Sequence, residues 1–297
     1  MKRSTLVLVA ILIVLILAAV IVMQRPGEQS TRAGMGEPLL TLDSAAVDRL
    51  EISSAGARVV LAREGGTWML TEPIRYRADQ NAVGTALSQA SHMTITALAS
   101  SNPQKQGVFQ VDSTATLLRV FEKETEKAAV RIGKAGPTYT QTYVRREGSA
   151  DVHLVDGSLT WTFVKPAKDW RDRSIYAAAK ESVKSVRFQY GDTTFVLDRV
   201  DTLWRVDGAP IEPTRVEGFL TALSSITADE FVDTAITTVG QPAGMLTVDG
   251  VQLVFLPHPA AGKYYVRTSA SPQVFEIQGW KATQLLKRKT DLTGQPG

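Results

Sequence analysis

The sequence predicts an α+β fold: an N-terminal transmembrane helix, then a tandem repeat of antiparallel sheets, each with one or two helices. Three observations predict it. Residues 6–23, LVLVAILIVLILAAVIVM, are 18 consecutive apolar residues without a charge. Short runs beyond them alternate apolar and polar residues, the period of a half-buried strand. Finally, EGGTWMLTEPIRYRADQNAV at 64–83 returns as VDTLWRVDGAPIEPTRVEGF at 200–219. A tryptophan, an apolar strand, a proline turn and a helix start are written twice, 136 positions apart.

The apolar segment comes first in the chain. As an α-helix its 18 residues reach roughly 27 Å, close to the thickness of a bilayer's hydrocarbon core. No good small-x-small cleavage site follows Ala18 and Ala19, so an uncleaved anchor is expected over a cleaved signal, and either one exports the rest. Lys2 and Arg3 precede it, and Arg25 and Arg32 follow it with Glu28 between them. That bias puts the amino end in the cytoplasm. The expected localisation is the cell inner membrane, single-pass, with the C-terminal bulk periplasmic or extracellular. The domains follow: 1–23 the anchor, 24–38 a flexible Gly- and Pro-containing tether, 39–176 the first α+β repeat and 177–297 the second.

Within each repeat the order of elements is the same. VDRLEISS, ARVVLARE and TWMLTEP read as a three-stranded meander, and ADQNAVGTALSQASHM as a helix capped by Asp79. SSNPQKQG at 100–107 reads as a loop. A second sheet is expected from TLLRVFEK, AAVRIGKA, QTYVRRE and DVHLVDG, followed by the short helix LTWTFV. Val47, Leu50 and Ile52 match Val183, Val186 and Phe188 at the offset of 136, and Trp68 matches Trp204. Val83 and Leu87 match Val216 and Leu220 at 133, and YVR at 143–145 matches YVR at 265–267 at 122. Trp68 and Trp204 read as core anchors.

Composition narrows the chemistry. The 297 residues contain no cysteine, which excludes disulfides, zinc–thiolate centres and cysteine nucleophiles. The net charge of +3 comes from 33 basic against 30 acidic residues; without Lys2 and Arg3 it is 31 against 30. That balance gives no electrostatic footprint for nucleic acid. His92, His153 and His258 show no metal-ligand spacing. RIGKAGPTY carries only Gly133 and Gly136 and reads as a turn between strands rather than a phosphate cradle. Tyr139, Tyr143, Tyr264 and Tyr265 near Arg145, Arg146 and Arg267 follow ordinary strand alternation. In KPAKDWRDRSIY, Asp169 and Asp172 form a conceivable acid–base pair. The interleaved Lys168, Arg171 and Arg173 favour structural ion pairs instead. No catalytic, cofactor-binding or metal residues are therefore expected, and no cofactor.

V-x-x-L-x-I at 47–52, G-x-W-x-L-x-x-P at 66–73, V-R-I-G at 130–133, T-Y-V-R-R at 142–146, V-H-L-V at 152–155 and W-R-D-R at 170–173 carry a resemblance. The chain resembles the domain of unknown function 4340 family of bacterial membrane-anchored proteins over about residues 45–290. Members are often encoded beside ABC transporters of the gliding-motility type. The resemblance implies a transporter-associated or envelope protein and transfers no catalytic residue. The expected function is a non-enzymatic single-pass envelope protein. Its exported repeat would be an interaction module, auxiliary to an ABC transporter or another membrane assembly. A small-ligand or glycan-binding module using the cleft between the repeats is the alternative. The expected partners are the membrane and a membrane protein, with no nucleic acid.

Overall fold

A computed structural model describes Leu12 and residues 34–191, 193–234 and 240–294. The chain divides into two compact units, one ending at Asp172 and the other starting at Arg173. The first contains β1 (Arg49–Ser54), β2 (Ala57–Glu64), β3 (Thr67–Glu72), β4 (Tyr76–Arg77), α1 (Gln80–Ser91), β5 (Ile95–Ser100), β6 (Thr116–Glu122), β7 (Thr125–Ala135), β8 (Gln141–Arg146), β9 (Val152–Asp156) and α2 (Leu159–Phe163). The second contains β10 (Ser174–Ala177), β11 (Ser185–Tyr190), β12 (Thr193–Val200), β13 (Leu203–Val206), β14 (Ala209–Pro210), α3 (Thr214–Ser224), β15 (Ser225–Thr227), β16 (Glu230–Val232), β17 (Gly244–Val248), β18 (Val251–Pro257), β19 (Lys263–Thr268), β20 (Ser271–Gln278), α4 (Gly279–Leu285) and α5 (Lys289–Thr293).

In each unit nine strands form one antiparallel sheet, and in the second unit β10 and β15 pair separately from it. The orders are β4-β3-β2-β1-β6-β7-β8-β9-β5 and β14-β13-β12-β11-β17-β18-β19-β20-β16. The two orders are the same, and β1 and β11 hold the same place 136 residues apart. Where the sequence suggested a meander and then a separate second sheet, β1 pairs with β6 and joins them. Leu50 lies opposite Val120, and Ile52 opposite Leu118. In the second unit Val186 lies opposite Val248, and Phe188 opposite Leu246. Alternation along a strand shows that the strand exists but not which strand it pairs with, so this seam was not visible.

These findings correct the predicted fold class. Antiparallel sheet dominates, and the longest described helix, α1, has 12 residues. No helix among the described residues is long and apolar enough to cross a membrane. The expected anchor, residues 6–23, lies outside the described residues apart from Leu12. The transmembrane helix and the single-pass inner-membrane localisation that rested on it are therefore withdrawn. Residues 36–39 are bound along the chain entering β5: the Gly36 N–H donates to the Ile95 carbonyl and the Leu39 N–H to that of Met93.

Helix α1 forms where Val83, Ala86, Leu87 and Ala90 recur at i, i+3, i+4 and i+7 and face the sheet. The Asp79 carboxylate accepts the N–H groups of Asn81 at 2.9 Å and Ala82 at 3.0 Å, capping the first turn. Val216, Phe219, Leu220 and Leu223 repeat this spacing in α3. Each helix carries the chain from one edge of its sheet towards the other. Trp68 and Trp204 are buried, with the guanidinium of Arg63 5.1 Å from one ring and that of Arg199 5.7 Å from the other. On the opposite arm, Arg131 grips Glu147 through two bonds of 2.6 and 2.9 Å, tying β7 to the residue after β8. This pairing lowers the Glu147 pKa, mainly through the hydrogen bond from Arg131.

Three outcomes follow. A Cβ on Gly133 would sit 2.3 Å from the Phe109 carbonyl oxygen, so Gly133→Ala should destabilise by about 1–3 kcal/mol. Gly84 on the exposed side of α1 has nothing within 4 Å, so Gly84→Ala should stabilise by about 1 kcal/mol. Denaturant melts of the two variants check this opposite pair of signs. Because the folded Glu147 pKa is depressed, its contribution is present above the ordinary carboxylate range and lost as pH falls through the lowered value. Glu147→Gln should cost about 0.5 kcal/mol at neutral pH, Glu147 being partly exposed, and should flatten the loss of stability in acid. Urea midpoints measured from pH 7 down to pH 3 test it.

Candidate functional site

After β9 the chain turns at Gly157, whose φ of 119° suits glycine, and enters α2. Helix α2 has five residues, too few to hold itself in water. Leu159 and Phe163 are fully buried and anchor it. Hydroxyls fix it further: Ser158 Oγ donates to the Tyr139 carbonyl at 2.8 Å and Thr160 Oγ1 to the Gly133 carbonyl at 3.0 Å. Thr142 Oγ1 accepts the Leu159 N–H at 3.0 Å. Trp161 lies two residues from each buried anchor, on the outward face, and is 80 % exposed. Tyr139, on the loop that Ser158 holds, is 87 % exposed.

Beyond α2, Val164–Pro166 lead into a 3₁₀ turn, Ala167–Trp170. The Trp170 side chain is fully buried, and its carbonyl accepts the Asp79 N–H at 2.8 Å. The chain is thereby returned to the start of α1. A groove of about 480 Å³ opens between this segment and the β1–β2 hairpin. Ile52, Val59, Pro73, Phe163 and Val164 give it apolar walls, and Arg58 and Lys165 supply its cations. Arg58 is engaged by Glu51 at 3.2 Å and Glu72 at 3.5 Å. Lys165 differs. Its Nζ lies 3.7 Å from the Trp170 ring centroid and has no hydrogen bond or ion pair among the described residues. Burial lowers its pKa, opposed by the charges of Asp169 and Asp79.

In the second unit, Gly279 opens α4, where its N–H donates to the Gly262 carbonyl at 2.6 Å. A Cβ there would stand 2.8 Å from that oxygen. Trp280 on α4 is 61 % exposed beside a groove of about 170 Å³. Its neighbour Lys281 pairs with Asp229 at 2.8 Å, unlike Lys165. At the offset of 122, Trp161 corresponds to Thr283, so the two tryptophans occupy different positions on matching helices.

The residues weighed from the sequence fall elsewhere. Asp172 pairs with Arg77 at 3.2 Å, a partner outside its own charged cluster. Gly133 lies within β7 rather than in a turn, and both it and Gly136 serve close packing, with side-chain or backbone atoms already under 3 Å from an added Cβ. Arg145 is buried, donating to the carbonyls of Val111 and Ser149 at 2.9 Å each. His92 ends α1, 2.8 Å from the Ser88 carbonyl. The His258 Nε2 lies 3.2 Å from Glu276, and its Nδ1 accepts the Ala260 N–H at 2.9 Å, so neither nitrogen is free for a substrate. His153 in β9 is half-buried, and desolvation lowers its pKa. No group of three or more His, Asp or Glu among the described residues is placed to hold a metal.

Sequence reading passed over Trp161, Trp280 and Lys165. For Trp161 a signal existed: Leu159 and Phe163 at i and i+4 mark the buried face, leaving residue 161 outside. Lys165 was hidden among charges that the sequence suggested were mutually paired.

No curated protein and no solved structure matches the chain. The family described as Domain of unknown function (DUF4340) matches residues 68–244. That span opens on the buried Trp68 and closes on the first residue of β17. It takes in most of the first sheet, the groove segment and the matching tryptophan at 204. Covering more than half of the chain, the match makes this protein a member of the DUF4340 family.

Proposed function

We propose that this protein is a non-enzymatic interaction module that docks a partner protein through the aromatic side chains exposed beside its sheets. The observation that carries this reading is the exposure of Trp161 and Trp280, each on the short helix after the last strand of its meander. Tryptophan is enriched among the residues that dominate protein interfaces, and truncating one there costs at least about 2 kcal/mol. Neither ring supports its own helix, since Leu159 and Phe163 bury α2, and Ala282 and Leu285 bury α4. A subunit of an ABC transporter is the partner that the family resemblance implies, and so the first to test.

The test is cross-linking of the full-length chain in cells, purification in mild detergent, and measurement of affinity for the stoichiometric partner recovered. Trp161→Ala or Trp280→Ala should weaken that affinity at least tenfold and shift the melting temperature by no more than about 2 °C. Affinity unchanged in both variants, or no stoichiometric partner at all, would overturn the reading.

A further inference from the structure

We infer that the groove between the β1–β2 hairpin and Phe163–Ala167 binds a single-chain anionic amphiphile, an alkyl carboxylate in the simplest case. The groove's volume of about 480 Å³ falls in the range of small-molecule sites. Its exposed walls are mainly apolar, from Pro73, Val164, Pro166 and Ala167, with Ile52 and Val59 nearly buried behind them, and suit a hydrocarbon chain. A purely apolar ligand would leave the Lys165 ammonium as it stands: half-buried, resting on the Trp170 face, with no anion bonded to it among the described residues. Arg58, the other cation, already holds two glutamates and needs no further anion. The charge pattern of the groove therefore suits one negative group set among apolar residues. A carboxylate on an alkyl chain fills both requirements, whereas a sugar fills neither. The site lies within the first unit and is independent of the exposed tryptophans.

Calorimetry of the full-length chain with octanoate and decanoate, below their micelle concentrations, tests the inference. Burying each added methylene should tighten binding about fourfold. Lys165→Met keeps the stem over Trp170 and removes the charge; it should weaken decanoate at least tenfold and leave 1-decanol binding unchanged. Ala57→Trp, at an exposed position on the groove wall, should abolish binding of both without touching the core. Decanoate binding that is absent in the wild type, insensitive to Lys165→Met, or retained in Ala57→Trp would overturn it. A melting curve for each variant confirms that it is folded.

Discussion

The pairing of β1 with β6, and of β11 with β17, is the constraint on which the rest depends. A three-stranded meander has one apolar face to bury, against a helix or a further sheet. Joined along β1, the two meanders of the first unit present a single face to α1. Leu50 and Ile52, on the seam, are buried among residues of both halves. The contacts are non-local, with Ile52 and Leu118 lying 66 positions apart in the sequence. Such contacts form only after long loops close. Strong turns reduce that burden. The β17–β18 connection is Asp249–Gly250, with φ of 46° and 95°, and β6–β7 uses Lys123–Glu124 at 48° and 65°. Both have the left-handed pair that a two-residue hairpin demands.

The seam also builds the groove. One wall, Ile52, Val59 and Pro73, belongs to the first meander; the other, Phe163 to Ala167, follows the last strand of the second. If the halves were separate sheets these walls would not meet. Burial decides what the second wall can display. Leu159, Phe163 and Trp170 go into the core and fix the backbone between them, so Trp161, Val164 and Lys165 remain outside it. Truncating either Leu159 or Phe163 would cost about 2–5 kcal/mol, against about 1 kcal/mol for each hydroxyl bond holding α2. The aliphatic and aromatic anchors therefore set the position of α2, and the hydroxyls refine it. For Lys165, contact with the indole face offsets part of the desolvation of the ammonium, by about 1–2 kcal/mol. Lys281 instead has a carboxylate for that purpose.

Much of this was legible in the residues. VDRLEISS, ARVVLARE and TWMLTEP each show strand alternation and are strands. Asp79 caps α1, and Val83, Ala86, Leu87 and Ala90 face inward. LTWTFV is a short helix, because Gly157 and Ser158 precede two apolar residues four apart. Other features were not legible. ITALAS at 95–100 lacks clean alternation, since β5 is bulged against β9 and mostly half-buried, and it went unread as a strand. SNPQKQG contains the start of a 3₁₀ turn capped by Asn102, where its Pro and Gly suggested only a loop. The pairing partner of each strand, the confinement of Gly133 and the placing of Lys165 over the Trp170 ring depend on the fold rather than on neighbours in sequence. No local pattern encodes them.

Residue-resolved amide exchange over β1 tests the seam most directly. With β2 on one side and β6 on the other, every backbone N–H from Leu50 to Ser53 should exchange slowly. If alternate amides exchanged freely while those bonded to β2 stayed protected, β1 would be an edge strand, and the single sheet, its shared core and the groove between its halves would all be contradicted.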